Sequence, residues 1–439
     1  MQIALNSLRT LLFRVPLVAL GQILALLIAR WLGPQGNGLY TLATSYGAIG
    51  TTLMSGGMVA VAHEISHRGS DSRSAAANVA VLSLGLGLVP VVVALFLWPV
   101  LNAHGWWWLL PVALAQPPVL LSSALVGVFL GVDDIKRLNY AYVGPWAATL
   151  AVFLVMTVLF GRSARVALVS WAIGQSLAAI YSVWLAHPLW SPLALGSVTL
   201  QRLRGLIKFG GQAGIANLIS FLNYRMDAFM VVFYLGEKQL GIYAAAVKVA
   251  EGLWFFSTAI WTAAYARIGS LSDDESARLT ARGMRHSLFI IAIIAVGLLL
   301  ITDPLLSLLY GSAYRGAITP FRWLVPGIAF YGLAGILSAY YTNQLGRPRV
   351  PLLIAGCSML LNVIACAVMI PAFGLSGAAI ASTLGYTIAI VAGMIAFLHT
   401  TSLGWRETLV VNSDDLRDYL RILQRIVGLV RSAAPVSPS

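Results

Sequence analysis

The sequence predicts an all-α, polytopic membrane protein. Of its 439 residues, 59% are hydrophobic and only 10% are charged. The mean hydropathy is +0.85, more apolar surface than a soluble core can absorb. Apolar and polar residues do not alternate along the hydrophobic runs, which argues against a membrane β-barrel. A net charge of +13 would suggest nucleic acid in a soluble chain. Here the basic residues gather in connections on one side, so the charge reads as an orientation signal and no nucleic-acid partner is expected.

Hydrophobic runs fall at 8–32, 38–62, 76–101, 106–131, 138–160, 166–186, 210–235, 240–265, 287–309, 320–343, 350–370 and 375–398. Each is near the ~20 residues that hydrocarbon requires, which predicts about 12 transmembrane helices. The third and fourth are joined by little more than a turn at 103–105, and the last two by one at 372–374. The fourth opens on Trp106-Trp107-Trp108, an interfacial aromatic belt. Pro16, Pro90, Pro111, Pro117, Pro118, Pro145 and Pro326 fall inside runs and can kink them, as membrane bundles tolerate. Cys357 and Cys366 share one predicted helix, too far apart along it for a disulfide. The first run is long and lacks a small-residue cleavage site, so no cleavable signal is expected.

With the N-terminus inside, most of the 28 Lys and Arg lie on the inner side, among them Arg202, Arg204, Lys208, Arg278, Arg282 and Arg285. The outer connections hold Arg30, Arg162, Arg165, Lys238, Arg315 and Arg322. This asymmetry predicts that both termini are cytoplasmic. The longer inner loops span 187–209 and 267–286. The expected organisation is an N-terminal six-helix bundle (1–187), a cytoplasmic linker (188–209), a C-terminal six-helix bundle (210–398) and a cytoplasmic tail (399–439).

An internal repeat supports two halves. Leu32-Gly33 through Gly38-Leu39-Tyr40 and Leu235-Gly236 through Gly241-Ile242-Tyr243 both read L-G-x4-G-(L/I)-Y, each between two runs. Leu130-Gly131 and Leu345-Gly346 match in the same way later in each half. Six crossings per half return the chain to the same side. The two bundles should therefore be related by a pseudo-twofold axis along the membrane normal, with substrate handled between them.

The seventh run carries Asn223-Tyr224-Arg225-Met226-Asp227 at its middle, and the eighth carries Lys248 and Glu251. A charge at that depth costs roughly 2.5–3.5 kcal/mol on insertion scales, so these groups should face a polar cavity or one another. Lys248 and Glu251 are three apart and share a helix face. We read the four charges as part of a cavity wall in a transporter. Arg14 lies nearer the inner surface and can snorkel. Asn217, Asn223 and Gln22 are polar candidates for the same wall. Gln175, Gln212, Asn343, Gln344 and Asn362 are further membrane amides, more readily explained by helix pairing.

Two other patterns call for a reading. His63-Glu64-Ile65-Ser66-His67 matches the H-E-x-x-H zinc pattern, but no partner motif supplies a third ligand. An intramembrane zinc protease is therefore the remote enzyme alternative; a transporter, not an enzyme, is expected. Residues 414–431 have apolar residues at helical spacing and arginines opposite. They suggest an amphipathic tail helix that docks a partner or lies on the inner leaflet, followed by a disordered 432–439.

The order of motifs resembles one family. Arg30-Trp31-Leu32-Gly33-Pro34 through Tyr40, the Asn223–Asp227 stretch followed by Gly236 and Gly241-Ile242-Tyr243, Gly346-Arg347-Pro348, and Pro371-Ala372-Phe373-Gly374-Leu375-Ser376-Gly377 are similar to Wzx-type polysaccharide flippases. Those belong to the multidrug/oligosaccharidyl-lipid/polysaccharide exporter superfamily. The resemblance implies a multi-pass protein of the bacterial cytoplasmic (inner) membrane. It also implies alternating access, with undecaprenyl-diphosphate-linked oligosaccharide carried from the inner to the outer leaflet. Glycan-assembly proteins docking on the tail are the expected protein partners. No cofactor is expected beyond a coupling H+ or Na+.

For such cargo Arg225, Lys248 and Arg14 are the candidate phosphate ligands, because a guanidinium fork binds phosphate bidentately and stays charged. Arg225 should sit on the order of 15 Å below the outer end of its helix, near the midplane. Asp227 and Glu251 either pair structurally with these cations or exchange with substrate or a coupling ion. A cation-coupled multidrug or small-solute exporter of the same superfamily is the alternative. A glycan polymerase is disfavoured by the short outer loops.

Overall fold

The computed structural model describes residues 2–68, 71–189, 196–258, 268–269, 271–412 and 415; side chains of 2–15 and 67–68 fall outside that description. In chain order the helices are α1 (Gln2–Arg68), α2 (Ser72–Phe96), α3 (Trp98–Ala103), α4 (Leu109–Gly131), α5 (Ile135–Phe160), α6 (Ala164–Ala186), α7 (Leu200–Asn223) and α8 (Met226–Leu235). They continue as α9 (Glu237–Glu251), α10 (Asp273–Leu300), α11 (Thr302–Tyr310), α12 (Ile318–Tyr331), α13 (Ala334–Ala339), α14 (Arg349–Thr400) and α15 (Trp405–Leu409). Their starts follow local capping chemistry. Asp71, Ser163 and Thr199 each accept backbone N–H groups that the first turn leaves unpaired.

Among the described residues nine helices are long and apolar enough to cross a membrane, or ten if the bent α7–α8 pair is one crossing. Two of the nine are double-length. α1 has 67 residues and is interrupted at Gly33 (φ 67°), and α14 has 52 and is interrupted at Gly374 (φ 57°). Only glycine takes that left-handed backbone cheaply, so each long helix folds back as two crossings. This is consistent with the expected twelve. Phe96, Val158 and Leu300 are 83%, 86% and 80% exposed, a pattern that suits lipid rather than water.

Several predicted crossings are broken rather than straight: among the described residues, run 76–101 is interrupted at Leu97 between α2 and α3, and run 240–265 turns at Gly252-Leu253 after α9. Run 210–235 is α7 and α8, bent by 51° at Tyr224-Arg225. Run 287–309 breaks at Ile301, between α10 and α11. Pro304 explains that break: in the first turn of α11 it needs no N–H partner, but further into a helix its ring would clash with the preceding turn. Run 320–343 is α12, α13 and a π turn at Tyr340–Gln344. The predicted tail helix 414–431 lies outside the described residues apart from Asp415.

By internal contacts the chain forms two units. The first comprises Met1–Glu251, Ile301–Val325 and Ala355–Gly385. Its cores include Leu24, Ile28 and Phe153 in one cluster and Val61, Val79 and Val128 in another. The second comprises Gly252–Leu300, Pro326–Ile354 and Tyr386–Ser439, around Met284, Ile336, Tyr340 and Phe397.

Within the first unit the two repeat turns meet. Gly236 (φ 81°) has the same backbone as Gly33. A Cβ on Gly38 would stand 1.8 Å from the Glu237 carbonyl oxygen, and one on Gly241 would stand 1.8 Å from that of Pro34. Pro34 and Glu237 occupy the same repeat position, as do Gly38 and Gly241. The contact is therefore reciprocal, as a local twofold relation between the turns requires, and it leaves no room for a side chain at either glycine. Asn37 donates to the Gly241 carbonyl at 2.8 Å across the same contact.

Candidate functional site

The site lies in the first unit, around the break between α7 and α8. Tyr224 ends α7 and Arg225 opens α8 with a non-helical backbone (φ −130°, ψ −10°). The Arg225 carbonyl accepts the N–H groups of Ala228 and Phe229, and the Asp227 carboxylate accepts the Ala228 N–H at 2.7 Å. Asp227 thus serves the positive end of the new helix, where unpaired N–H groups favour an anion. A sequence signal existed: Asn223 and Asp227 are both helix-terminus residues, and they bracket the break in an otherwise apolar run.

Arg225 reaches across to α9 and binds Glu251 as a fork, Nη1 to Oε1 at 2.8 Å and Nη2 to Oε2 at 3.3 Å. Lys248, one turn before Glu251, brings Nζ to 3.9 Å from the same carboxylate. The side chains are 22%, 12% and 42% exposed for Arg225, Glu251 and Lys248. Two cations thus meet one carboxylate, and the cluster carries one more positive than negative charge. Arg225 and Lys248 line a cavity of about 700 Å³.

Asp227, two residues on, sits differently. It is 4% exposed and accepts the hydroxyls of Tyr243 at 2.6 Å and Ser382 at 2.9 Å. The Ser382 hydroxyl accepts from Asn362 at 3.2 Å, and the Cys366 thiol donates to Asn362 at 3.7 Å. Neutral donors from α9 and α14 therefore seat this carboxylate beside the cavity.

The remaining wall was less visible from sequence. Asn37, Thr41, Thr44, Ser45, Thr51 and Thr52 line the cavity from the second half of α1. Their spacing of three and four is that of one helix face, a signal that the abundance of hydroxyls in membrane helices hides. Trp146 and Trp171 add aromatic faces, and Gln175 reaches Thr149 at 3.4 Å beside them. Of the predicted polar candidates, Gln22 lines the cavity. Asn217 instead donates to Ser55 at 2.8 Å, and Asn223 is buried; neither belongs to the lining. Arg14 lies on α1, with its side chain outside the described residues.

The H-E-x-x-H stretch ends the second half of α1. The His63 ring stacks on Phe209 with centroids 5.0 Å apart, and the His67 side chain lies outside the described residues. Among the described residues no group of three His, Cys, Asp or Glu is placed to hold a metal.

Known proteins are similar to this chain in sequence and fold. The family profile described as "Polysaccharide biosynthesis protein" matches residues 26–319. The probable low-salt glycan biosynthesis flippase Agl15 of Haloferax volcanii is 19% identical over 304 residues. That alignment covers 64% of this chain and 64% of the relative's length. The structure of the lipid II flippase MurJ in an inward closed conformation superposes with a TM-score of 0.73 at 15% identity, covering 97% of this chain and 94% of that one. An inward-facing multidrug resistance MATE transporter of the MOP superfamily superposes with a TM-score of 0.67 at 15% identity, covering 87% and 94%. The chain belongs to the polysaccharide biosynthesis protein family and is a multi-pass membrane protein with the MurJ/MATE-like transporter fold.

Proposed function

We propose that this protein is a flippase that carries an undecaprenyl-diphosphate-linked oligosaccharide from the inner to the outer leaflet of the cytoplasmic membrane. It works by alternating access, as two six-helix bundles rock about the cavity. One observation carries the reading: Arg225 and Lys248, both on the wall of a 700 Å³ cavity, meet the Glu251 carboxylate. A diphosphate competes with Glu251 for both cations. Arg225 exchanges Glu251 for phosphate oxygens of the same fork geometry, and Lys248 adds a mobile point charge. The hydroxyl stripe of α1 supplies partners for sugar hydroxyls, and Trp146 and Trp171 supply faces on which sugar rings stack.

Asp227 is the coupling group in this reading. A carboxylate seated by neutral donors next to a wet cavity gains or loses a proton, or holds a Na+, at a cost that depends on whether the cavity faces the ion. Cargo and ion then act on adjacent turns of one broken helix. The protein is a transporter that makes and breaks no covalent bond, and its tail docks glycan-assembly proteins.

The test is flux of a fluorescent undecaprenyl-diphosphate oligosaccharide in proteoliposomes carrying wild-type protein, Arg225→Ala or Arg225→Lys. Loss in the alanine variant with partial rescue by lysine supports the assignment. Undiminished flux in both removes Arg225 as a phosphate ligand. Saturable efflux of an organic cation with no lipid flipping would instead favour the small-solute exporter.

A further inference from the structure

The second unit carries a cleft of about 940 Å³ that is lined by none of the cargo-site residues. One wall is the polar first half of α10, and the other is the segment after α14 with α15. The walls are tied by Arg285, which donates to the Glu407 carbonyl and, through Nη2, to Asp415 at 3.0 Å. Asp415 is held in turn by the Asn412 N–H at 3.1 Å.

Arg278 and Arg282 stand one turn apart on α10 and line the cleft, and Arg406 faces it from α15. All three are exposed, and among the described residues none forms an ion pair. The two carboxylates in the lining serve as local caps. Glu275 accepts the Ser272 N–H and hydroxyl, and Glu407 accepts the Gly404 N–H at 2.9 Å. Leu279, Leu403 and Val410 supply apolar surface beside the polar Ser402 and Asn412. Trp405 is 56% exposed beside Arg406, as an interfacial anchor would be.

We propose that this cleft binds the phosphodiester headgroup of an anionic phospholipid, held by Arg278, Arg282 and Arg406 with the acyl chains against the apolar wall. Guanidinium groups converging from two walls suit a phosphate oxygen set. The cleft sits where the hydrocarbon run of α10 gives way to its charged segment, the level at which headgroups lie. The proposal concerns a resident lipid and holds whatever the cargo is, so its readout is binding rather than flux.

The experiment titrates short-chain phosphatidylglycerol, short-chain phosphatidylcholine and inorganic phosphate into the detergent-purified full chain and reads binding by native mass spectrometry. Wild-type protein should retain phosphatidylglycerol on the order of tenfold more tightly than phosphatidylcholine. The Arg278→Gln/Arg282→Gln double variant should lose that preference, and Arg406→Gln part of it. Lys136→Gln, an exposed charge in the other unit, should keep it. Three results would overturn the proposal. One is an unchanged preference in the double variant, which should fold because both side chains are exposed and, among the described residues, neither forms an ion pair. Another is an equal loss in Lys136→Gln. The third is displacement by inorganic phosphate at the concentration that displaces phosphatidylglycerol, which would assign the cleft to the free anion.

Discussion

Arg225 and Asp227 stand two residues apart at one helix break, yet their surroundings are opposite. Arg225 faces the cavity and is held by another charge, which a stronger anion can replace. Asp227 also lines the cavity but is almost wholly buried, and it is held by neutral hydroxyls and a backbone N–H, which do not compete for it. The break makes this possible. On a straight helix residues two apart point to different faces but share one depth and one register. The 51° bend leaves Arg225 in a non-helical backbone at the break and puts Asp227 in the first turn of the next helix. In this reading exchangeable pairing marks the cargo side and sealed neutral pairing marks the ion side.

The contrast breaks most plainly at Arg225. Alanine there removes charge-assisted hydrogen bonds worth ~1.5–3 kcal/mol each, so flux should fall roughly tenfold to a hundredfold, with lysine intermediate. Initial flipping rates measure this directly. Asp227→Asn keeps volume and removes the charge, but its amide nitrogen cannot accept from the donors that now meet one of the two carboxylate oxygens. Flux driven by an imposed proton or Na+ gradient should drop to the gradient-free rate, with a stability loss of about 1 kcal/mol or more from the mismatched donor. An Asp227→Asn protein that still responds fully to the gradient would merge the two roles.

Smaller changes sharpen the same comparison. Lys248→Ala leaves the Arg225–Glu251 fork intact and removes the more exposed cation, so a loss of a few-fold in flux is expected, on the order of 1 kcal/mol. Tyr243→Phe removes one hydrogen bond to Asp227 and should cost about 1 kcal/mol of stability. Tyr40, at the matching position of the other repeat, lines the cavity, and Tyr40→Phe should cost less. Thermal melts of the two variants side by side give the difference.

The elements legible in the sequence were those set by one dominant force. Hydrocarbon length marked the crossings, and the paired L-G-x4-G motifs marked the turns at Gly33 and Gly236. A spacing of three put Lys248 beside Glu251. What stayed hidden depends on which faces meet. Hydropathy counts residues without direction, so the break at Tyr224-Arg225 reads as one continuous crossing. The hydroxyls from Thr41 to Thr52 read as ordinary helix-pairing residues until a cavity lies beside them. Ser382, backed by Asn362, reaches Asp227 from more than a hundred residues away, and no local pattern announces that contact.

The most direct test measures binding of undecaprenyl diphosphate to purified Glu251→Gln protein beside wild type and Arg225→Ala. If Glu251 holds the place that cargo phosphate takes, Glu251→Gln binds more tightly than wild type and Arg225→Ala binds more weakly. Equal affinity in all three would contradict the account, because Arg225 and Glu251 would then be a structural pair that the cargo never touches.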